Sequence, residues 1–354
     1  MKVFYFDFAY KDGHINFDSK IINAIAHSNV VEYICPDGWY EGYDLKAKKI
    51  AGAIKLKGLT SGRIELLHAV LSNISAAVKA TKYGSYELIV VGECELFVLP
   101  VFLNLFGKEY SNKIVVIHHQ DLDSIRGSRL INRIRKRVFK HYKNSYIHCI
   151  IEPFMRKSLR DEYGVSDDKI ICWKHPLTLY PEKAYDERVY DCVGLSHSND
   201  EEMIRRLVDR EKRSDLLRKE DLHVLLRSKH IEYDDGFLTV TREWFSKSQY
   251  LELLKSSRVV FVPLPGYFHD RISGLVYDAC SLCIPVLSSE VPFVRYCMEE
   301  YPGIVGIYDE DRFAEQIRDM RNNDAGDSFG RFIRDHRLDT LRKTIDADLE
   351  AVNA

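Results

Sequence analysis

Two stretches of this sequence combine residue types and spacings that can do chemistry. The first is PLPGYFHDRISGLVYDAC, Pro263 to Cys280. It holds two carboxylates eight positions apart, Asp270 and Asp278, with the cation Arg271 between them. It also holds Ser273 and Gly274, where a helix would open and leave its first amides free for an anion. The second stretch is KIVVIHHQD, which ends in His118, His119, Gln120 and Asp121. Imidazole titrates near neutral pH, so a histidine at a strand end can serve as a base, a ligand or a plain hydrogen-bonding group. The pair lacks metal-motif spacing, and which of the two is functional is open at this point.

The surrounding pattern says how these residues are positioned. Arg258 to Leu264 is a short apolar run rich in β-branched residues, stopped by Pro263 and Pro265. It reads as a strand buried on both faces of a parallel sheet. The helix Gly274 to Leu282 and the strand Ile284 to Leu287 follow at the spacing of a tight βαβ unit. The loop with Asp270 then lies at the carboxyl end of a strand, where open α/β sheets bind ligands.

The same alternation runs through the chain. Lys2 to Phe8, Val30 to Cys35, Glu87 to Gly92, Lys113 to His118, Ile147 to Glu152 and Lys169 to Trp173 predict strands. Helices are predicted over Ser19 to His27, Ile64 to Val78 and Pro153 to Tyr163, and Glu95 to Phe106 reads as a core helix. After a polar, Pro-containing linker the pattern begins again with Tyr190 to Leu195. A charged helix over Glu201 to Lys219 and the strands Leu222 to Leu226 and Phe237 to Thr241 follow. Next come a helix from Trp244 to Ser256, the strand Gly303 to Tyr308 and a terminal helix from Phe329 to about Leu349.

The segment Asp270 to Leu287 resembles the donor-binding signature of the retaining GT4-type glycosyltransferases, E-x7-E followed by A-x-A-x-G-x-P-V. Asp270 and Asp278 stand at the two acidic positions, followed by Ala279 and Ile284-Pro285-Val286, while the glycine is replaced by Cys283. The resemblance implies a GT-B architecture: α/β, two Rossmann-like domains with an interdomain cleft and a C-terminal helix crossing back. The domains implied are 1–176 for the acceptor, 188–327 for the nucleotide sugar, and 328–354 as the returning helix. It further implies that Asp278 holds ribose hydroxyls, that Asp270 lies near the transferred sugar, and that His118 or His119 contacts that sugar. Arg227 and Lys229 are the candidates to grip the donor diphosphate, with Arg271, Ser273 and Gly274 at the signature helix. The implied reaction moves a sugar from a UDP- or GDP-linked donor to a glycan or lipid-linked acceptor, with retention, no metal and no further cofactor. Its setting would be surface polysaccharide or glycoconjugate biosynthesis.

Composition limits the alternatives. The 354 residues suit two domains, and a net charge of −2 argues against general nucleic-acid binding. Eight scattered cysteines, with Cys280 and Cys283 as a single C-x2-C pair, read as reduced cytosolic thiols. The opening MKVFYFDFAYKDG reads as a first strand rather than a signal peptide, and its loop with Asp12 and His14 is a further acceptor-side candidate. Arg126 to Lys143 carries eight Lys/Arg and no acid. This basic amphipathic helix fits an anionic membrane on the inner face of the cell, or else packs its apolar stripe on the sheet and solvates its charges. Two rivals to sugar transfer are a sugar-nucleotide epimerase of the same fold and a catalytically degenerate partner protein.

Overall fold

A computed structural model describes residues 1–7, 15–35, 40–50, 63–82, 85–93, 96–106, 110, 112–178 and 189–353. The loop carrying Asp12 and His14, Cys94 and most of the predicted linker lie outside the described residues. The chain divides into two compact units, Met1–Pro176 with His336–Ala354, and Leu177–Asp335.

The first unit is built on seven parallel strands: β1 (Lys2–Asp7), β2 (Val30–Ile34), β3 (Lys48–Lys49), β4 (Leu88–Glu93), β5 (Ile114–His118), β6 (Ile147–Ile150) and β7 (Ile170–Cys172). Their order is β3-β2-β1-β4-β5-β6-β7. The runs Leu88 to Val91 and Ile114 to Ile117 are fully enclosed, as expected of strands covered on both faces. Helices α1 (Ile15–Ile25), α2 (Arg63–Thr81), α3 (Leu99–Phe106), α4 (Asp121–Ser124), α5 (Leu130–Tyr142) and α6 (Met155–Lys157) fill the connections. The helix predicted over Pro153 to Tyr163 is instead α6 followed by a wider π turn, Ser158–Glu162.

The second unit repeats the plan with β8 (Tyr190–Gly194), β9 (Val224–Arg227), β10 (Tyr233–Asp234), β11 (Leu238–Thr241), β12 (Ser257–Val262), β13 (Val286–Ser288) and β14 (Val305–Ile307). The order is β10-β11-β9-β8-β12-β13-β14, parallel throughout except for the short edge pairing of β10 with β11. Its helices are α7 (Glu201–Ser214), α8 (Leu216–Lys219), α9 (Lys247–Lys255), α10 (Gly274–Ser281), α11 (Pro292–Glu300), α12 (Phe313–Asn322) and α13 (Gly326–Asp335).

Two predicted helices are broken, each by a buried side chain. The one over Glu201 to Lys219 stops at Asp215, which is left-handed at φ 49°. The enclosed carboxylate of Glu211 then accepts the amides of Leu216 and Leu217, at 3.1 and 2.9 Å, and so caps α8. The predicted terminal helix is two helices, α13 and α14 (Leu338–Asn353), separated at His336. His336 is buried, its Nδ1 donating to the carbonyl of His175 at 2.9 Å beside the enclosed Glu152 carboxylate. From there α14 packs on α1 within the first unit. Among the described residues, no helix is long and apolar enough to cross a membrane.

Candidate functional site

In the second unit the strand order reverses at β8, which has β9 on one side and β12 on the other. Open α/β sheets bind ligands at such a reversal, where the loops leaving the carboxyl ends of the two strands diverge. The strands approach closely: a Cβ on Gly194, at the end of β8, would lie 2.8 Å from the Leu226 side chain and 3.1 Å from the Phe261 carbonyl. Two side chains then fix the loops. Asn199 Nδ2 donates to the Arg227 carbonyl at 2.8 Å. Glu201, in the first turn of α7, accepts the Ser228 hydroxyl and the Lys229 amide. Burial pushes the Glu201 carboxyl up, but these donors outweigh it and hold the group below its ordinary range.

Arg227 ends β9 and is buried. Its Nε donates to the Glu243 carbonyl at 3.1 Å and its Nη1 to His197 Nδ1 at 2.6 Å. The guanidinium also lies 4.7 Å from the ring centre of Trp244, while His197 meets that ring edge-on. Burial, followed by the nearby charges of Arg227 and Lys229, lowers the His197 pKa, which suits its role as an acceptor for Arg227. Trp244 nonetheless remains 67% exposed. Arg227 is therefore tied into an aromatic platform, whereas Lys229 is exposed on the pinned loop. Sequence reasoning missed His197 and Trp244. The pattern predicts a helix from Trp244, whereas the helix starts at Lys247, behind the capping box of Ser246 and Gln249.

The signature segment follows β12. Asp270 is enclosed, and Arg271 lies half-buried with its guanidinium 4.8 Å from the centre of the Phe268 ring. Ser273 occupies the N-cap position of α10 without using its side chain as a cap, and Gly274 faces open space. One turn further on, Asp278 Oδ1 accepts the Thr178 hydroxyl at 2.6 Å and Oδ2 the Tyr250 hydroxyl at 2.8 Å. Trp244 lies just before α9 and Tyr250 within it, so one connection from β11 to β12 supplies both the ring platform and a partner of Asp278.

Helix α10 ends with Ile284 N–H bonded to the Ala279 carbonyl at 2.9 Å and Cys283 N–H to the Cys280 carbonyl at 3.1 Å. These are the paired bonds of a Schellman cap, with Cys283 left-handed at φ 56°. The residue standing at the signature's glycine position thus adopts the backbone conformation a glycine enters most easily.

In the first unit, His118 and His119 stand at the carboxyl end of β5. His118 is fully enclosed, with Nδ1 2.6 Å from Asp121 Oδ2 and Nε2 2.8 Å from His148 Nδ1. His148 Nε2 in turn donates to the Lys143 carbonyl at 2.6 Å, which leaves its Nδ1 to accept from His118. Complete burial, and then the neighbouring His118, drives the His148 pKa well below the usual value and keeps that ring neutral. His119 retains 6% exposure and lies edge-on against Phe17 at the start of α1, 4.6 Å between ring centres. Among the described residues, no group of three His, Cys, Asp or Glu is arranged to hold a metal ion.

No family model and no curated relative matches the sequence. The fold, in contrast, matches solved glycosyltransferases over the whole chain. Anabaena Alr3699/HepE in complex with UDP superposes with a TM-score of 0.67 at 11% identity, covering 99% of this chain and 100% of that one. A glycosyltransferase from Rickettsia africae ESF-5 gives 0.64 at 12% identity, covering 99% and 97%. The lipopolysaccharide outer core galactosyltransferase WaaB gives 0.61 at 12%, covering 99% of each. At such identities the likeness establishes the fold. The protein has the GT-B fold, two Rossmann-like α/β domains each on a seven-stranded sheet. Several glycosyltransferase families share it, so the likeness does not single out the retaining GT4 type.

Proposed function

We propose that the protein is a glycosyltransferase that moves a sugar from a UDP- or GDP-linked donor to a glycan or lipid-linked acceptor, with retention and without a metal. The acceptors would belong to surface polysaccharide or glycoconjugate synthesis in the cytoplasm. The observation that carries this reading is the exposed Trp244 ring, held by Arg227 and His197, at the same end of the sheet as the open N-terminus of α10. A nucleobase stacks on such a ring, and a diphosphate suits helix amides beside Arg271. Asp278, whose carboxylate already accepts two hydroxyls, is assigned to the ribose hydroxyls. Lys229 is free to meet the phosphates, whereas Arg227 orders the platform. Asp270 is assigned to the transferred sugar, and His119 is the first unit's candidate catalytic group. The chemical demand is to stabilise the leaving diphosphate, which preorganised amides and a cation can meet.

Calorimetry with uridine, UDP, GDP and their sugars tests the donor site. Trp244→Ala is expected to weaken uridine and UDP alike, by roughly 1–3 kcal/mol, the usual worth of one base stacked on an aromatic ring. Arg271→Ala should weaken UDP far more than uridine, because a charge-assisted contact to phosphate is absent from the nucleoside. Asp278→Ala should weaken both. Native affinity in all three folded variants would remove the site. Diphosphate released only with acceptor present marks transfer; donor isomerised without acceptor would mark an epimerase, and a chain that binds no nucleotide would be a degenerate partner.

A further inference from the structure

The stretch Arg126 to Lys143, which contains α5, divides its eight bases between two states. Arg126 pairs with Glu162, Arg135 lies over the Phe97 ring, and Lys143 donates to the carbonyls of Tyr163 and Gly164. The other five, Arg129, Arg133, Lys136, Arg137 and Lys140, are exposed and make no ion pair among the described residues. On α7, by contrast, three cations pair with acids: Arg205 with Glu202, Arg206 with Glu310 and Arg210 with Asp311. A solvated charged face would also require the apolar stripe of α5 to pack on the sheet. Leu130 and Ile134 are instead 69% and 40% exposed, one helical turn apart and interleaved with the free cations. The neighbouring helices continue the pattern. Leu67 and Leu71 on α2 and Leu105 on α3 are exposed, α2 packs on α3, and Phe97, just before α3, touches α5 through Arg135. Glu65 is the single acid within these three helices.

Exposed aliphatic side chains set among unpaired cations are what an anionic bilayer surface binds: the cations meet headgroup phosphates and the aliphatics enter the acyl boundary. We propose that this face of the first unit, centred on α5, docks on an anionic lipid membrane. Nothing in the proposal depends on the donor site, and its test uses no nucleotide.

Full-length protein is mixed with sucrose-loaded vesicles of phosphatidylcholine alone or with about one third phosphatidylglycerol, and the bound fraction is read by sedimentation. The expectation is strong binding to the anionic vesicles at low salt, weakened by added salt. The variant with Arg133, Lys136, Arg137 and Lys140 all changed to Gln should lose roughly a hundredfold or more in partitioning, since each base near such a surface contributes about fivefold. The variant Leu130→Ser with Ile134→Ser should lose binding too, while both retain native circular dichroism and thermal midpoint. No binding by the native protein overturns the proposal. So does full binding by the Ser variant, which would make the face a patch for any polyanion. A concentration-dependent dimer in ultracentrifugation that the Ser variant abolishes would assign the face to a second copy of the chain and equally overturn it.

Discussion

His118 and His119 are neighbours in sequence, yet their rings meet different surroundings because successive residues leave a strand on opposite sides. The His118 ring bridges Asp121 and His148 in an enclosed network, so its loss strands buried polar atoms on both sides. His118→Ala is expected to cost about 2–4 kcal/mol of unfolding free energy in denaturant titration, from two broken buried contacts, one of them to a carboxylate. His119→Ala is expected to leave stability and UDP affinity near native and to cut transfer by ~10²-fold or more, as for a polar group that acts mainly in the transition state. Turnover with a defined acceptor decides it: full activity of His119→Ala would move the first unit's contribution elsewhere. The pairing HH at a strand end was legible in the sequence. The partner that commits His118, thirty positions on in β6, was not, because nothing local links His118 to His148.

Among the elements, α10 shows most clearly how a sequence pattern becomes geometry. Its opening at Gly274 and its return into β13 follow from the run of turn and β-branched residues, and both lie where the pattern puts them. The cap at Cys283 is a conformational demand that outlasts the change of residue. A side chain there raises the cost of the left-handed backbone, by about 1 kcal/mol in a typical case. Cys283→Gly is therefore expected to raise the unfolding free energy by about 0.5–1 kcal/mol, reduced somewhat by the greater freedom of glycine in the unfolded chain. Thermal unfolding under reducing conditions measures it, and a fall in stability would mean that the exposed thiol makes a contribution of its own. The break at Asp215 belongs to the same scale: a charged helix of uniform composition is divided because Glu211 turns inward and takes the next two amides.

At the scale of the molecule, the two units differ in how the chain supplies them. Leu177–Asp335 is one continuous piece, whereas the first unit needs His336–Ala354 to complete it. On α14 the residues Leu341, Ile345 and Leu349 are buried at successive turns, Trp173 Nε1 donates to Asp348 at 3.0 Å, and Ser28 donates to Asp346 at 3.1 Å. Ending the chain after Asp335 should therefore weaken the first unit by roughly 5 kcal/mol, the order of three buried aliphatic side chains. The second unit should still bind UDP. Calorimetry on the truncated chain is expected to show the transition of the first unit displaced or absent, and a transition of the second unit that UDP raises. A single transition lost altogether, with no UDP binding, would refute the independence of the second unit.

The succession of apolar runs and amphipathic stretches determined by itself that two parallel α/β sheets form. Burial on both faces demands continuous apolar strands, and each crossover demands a helix. It also determined that Asp270 to Gly274 and the histidine pair would lie at strand carboxyl ends, because parallel order puts every such loop at one end of the sheet. Only the tertiary structure decided what those residues touch. Arg227 faces Trp244 because β9 and β11 are neighbours in register, and Asp278 meets Tyr250 because α9 and α10 pack on the same strand, β12. The exposure of Leu130 and Ile134 is likewise a matter of how deeply α5 packs. Periodicity gives a helix its apolar side, and only the neighbours decide whether that side is covered.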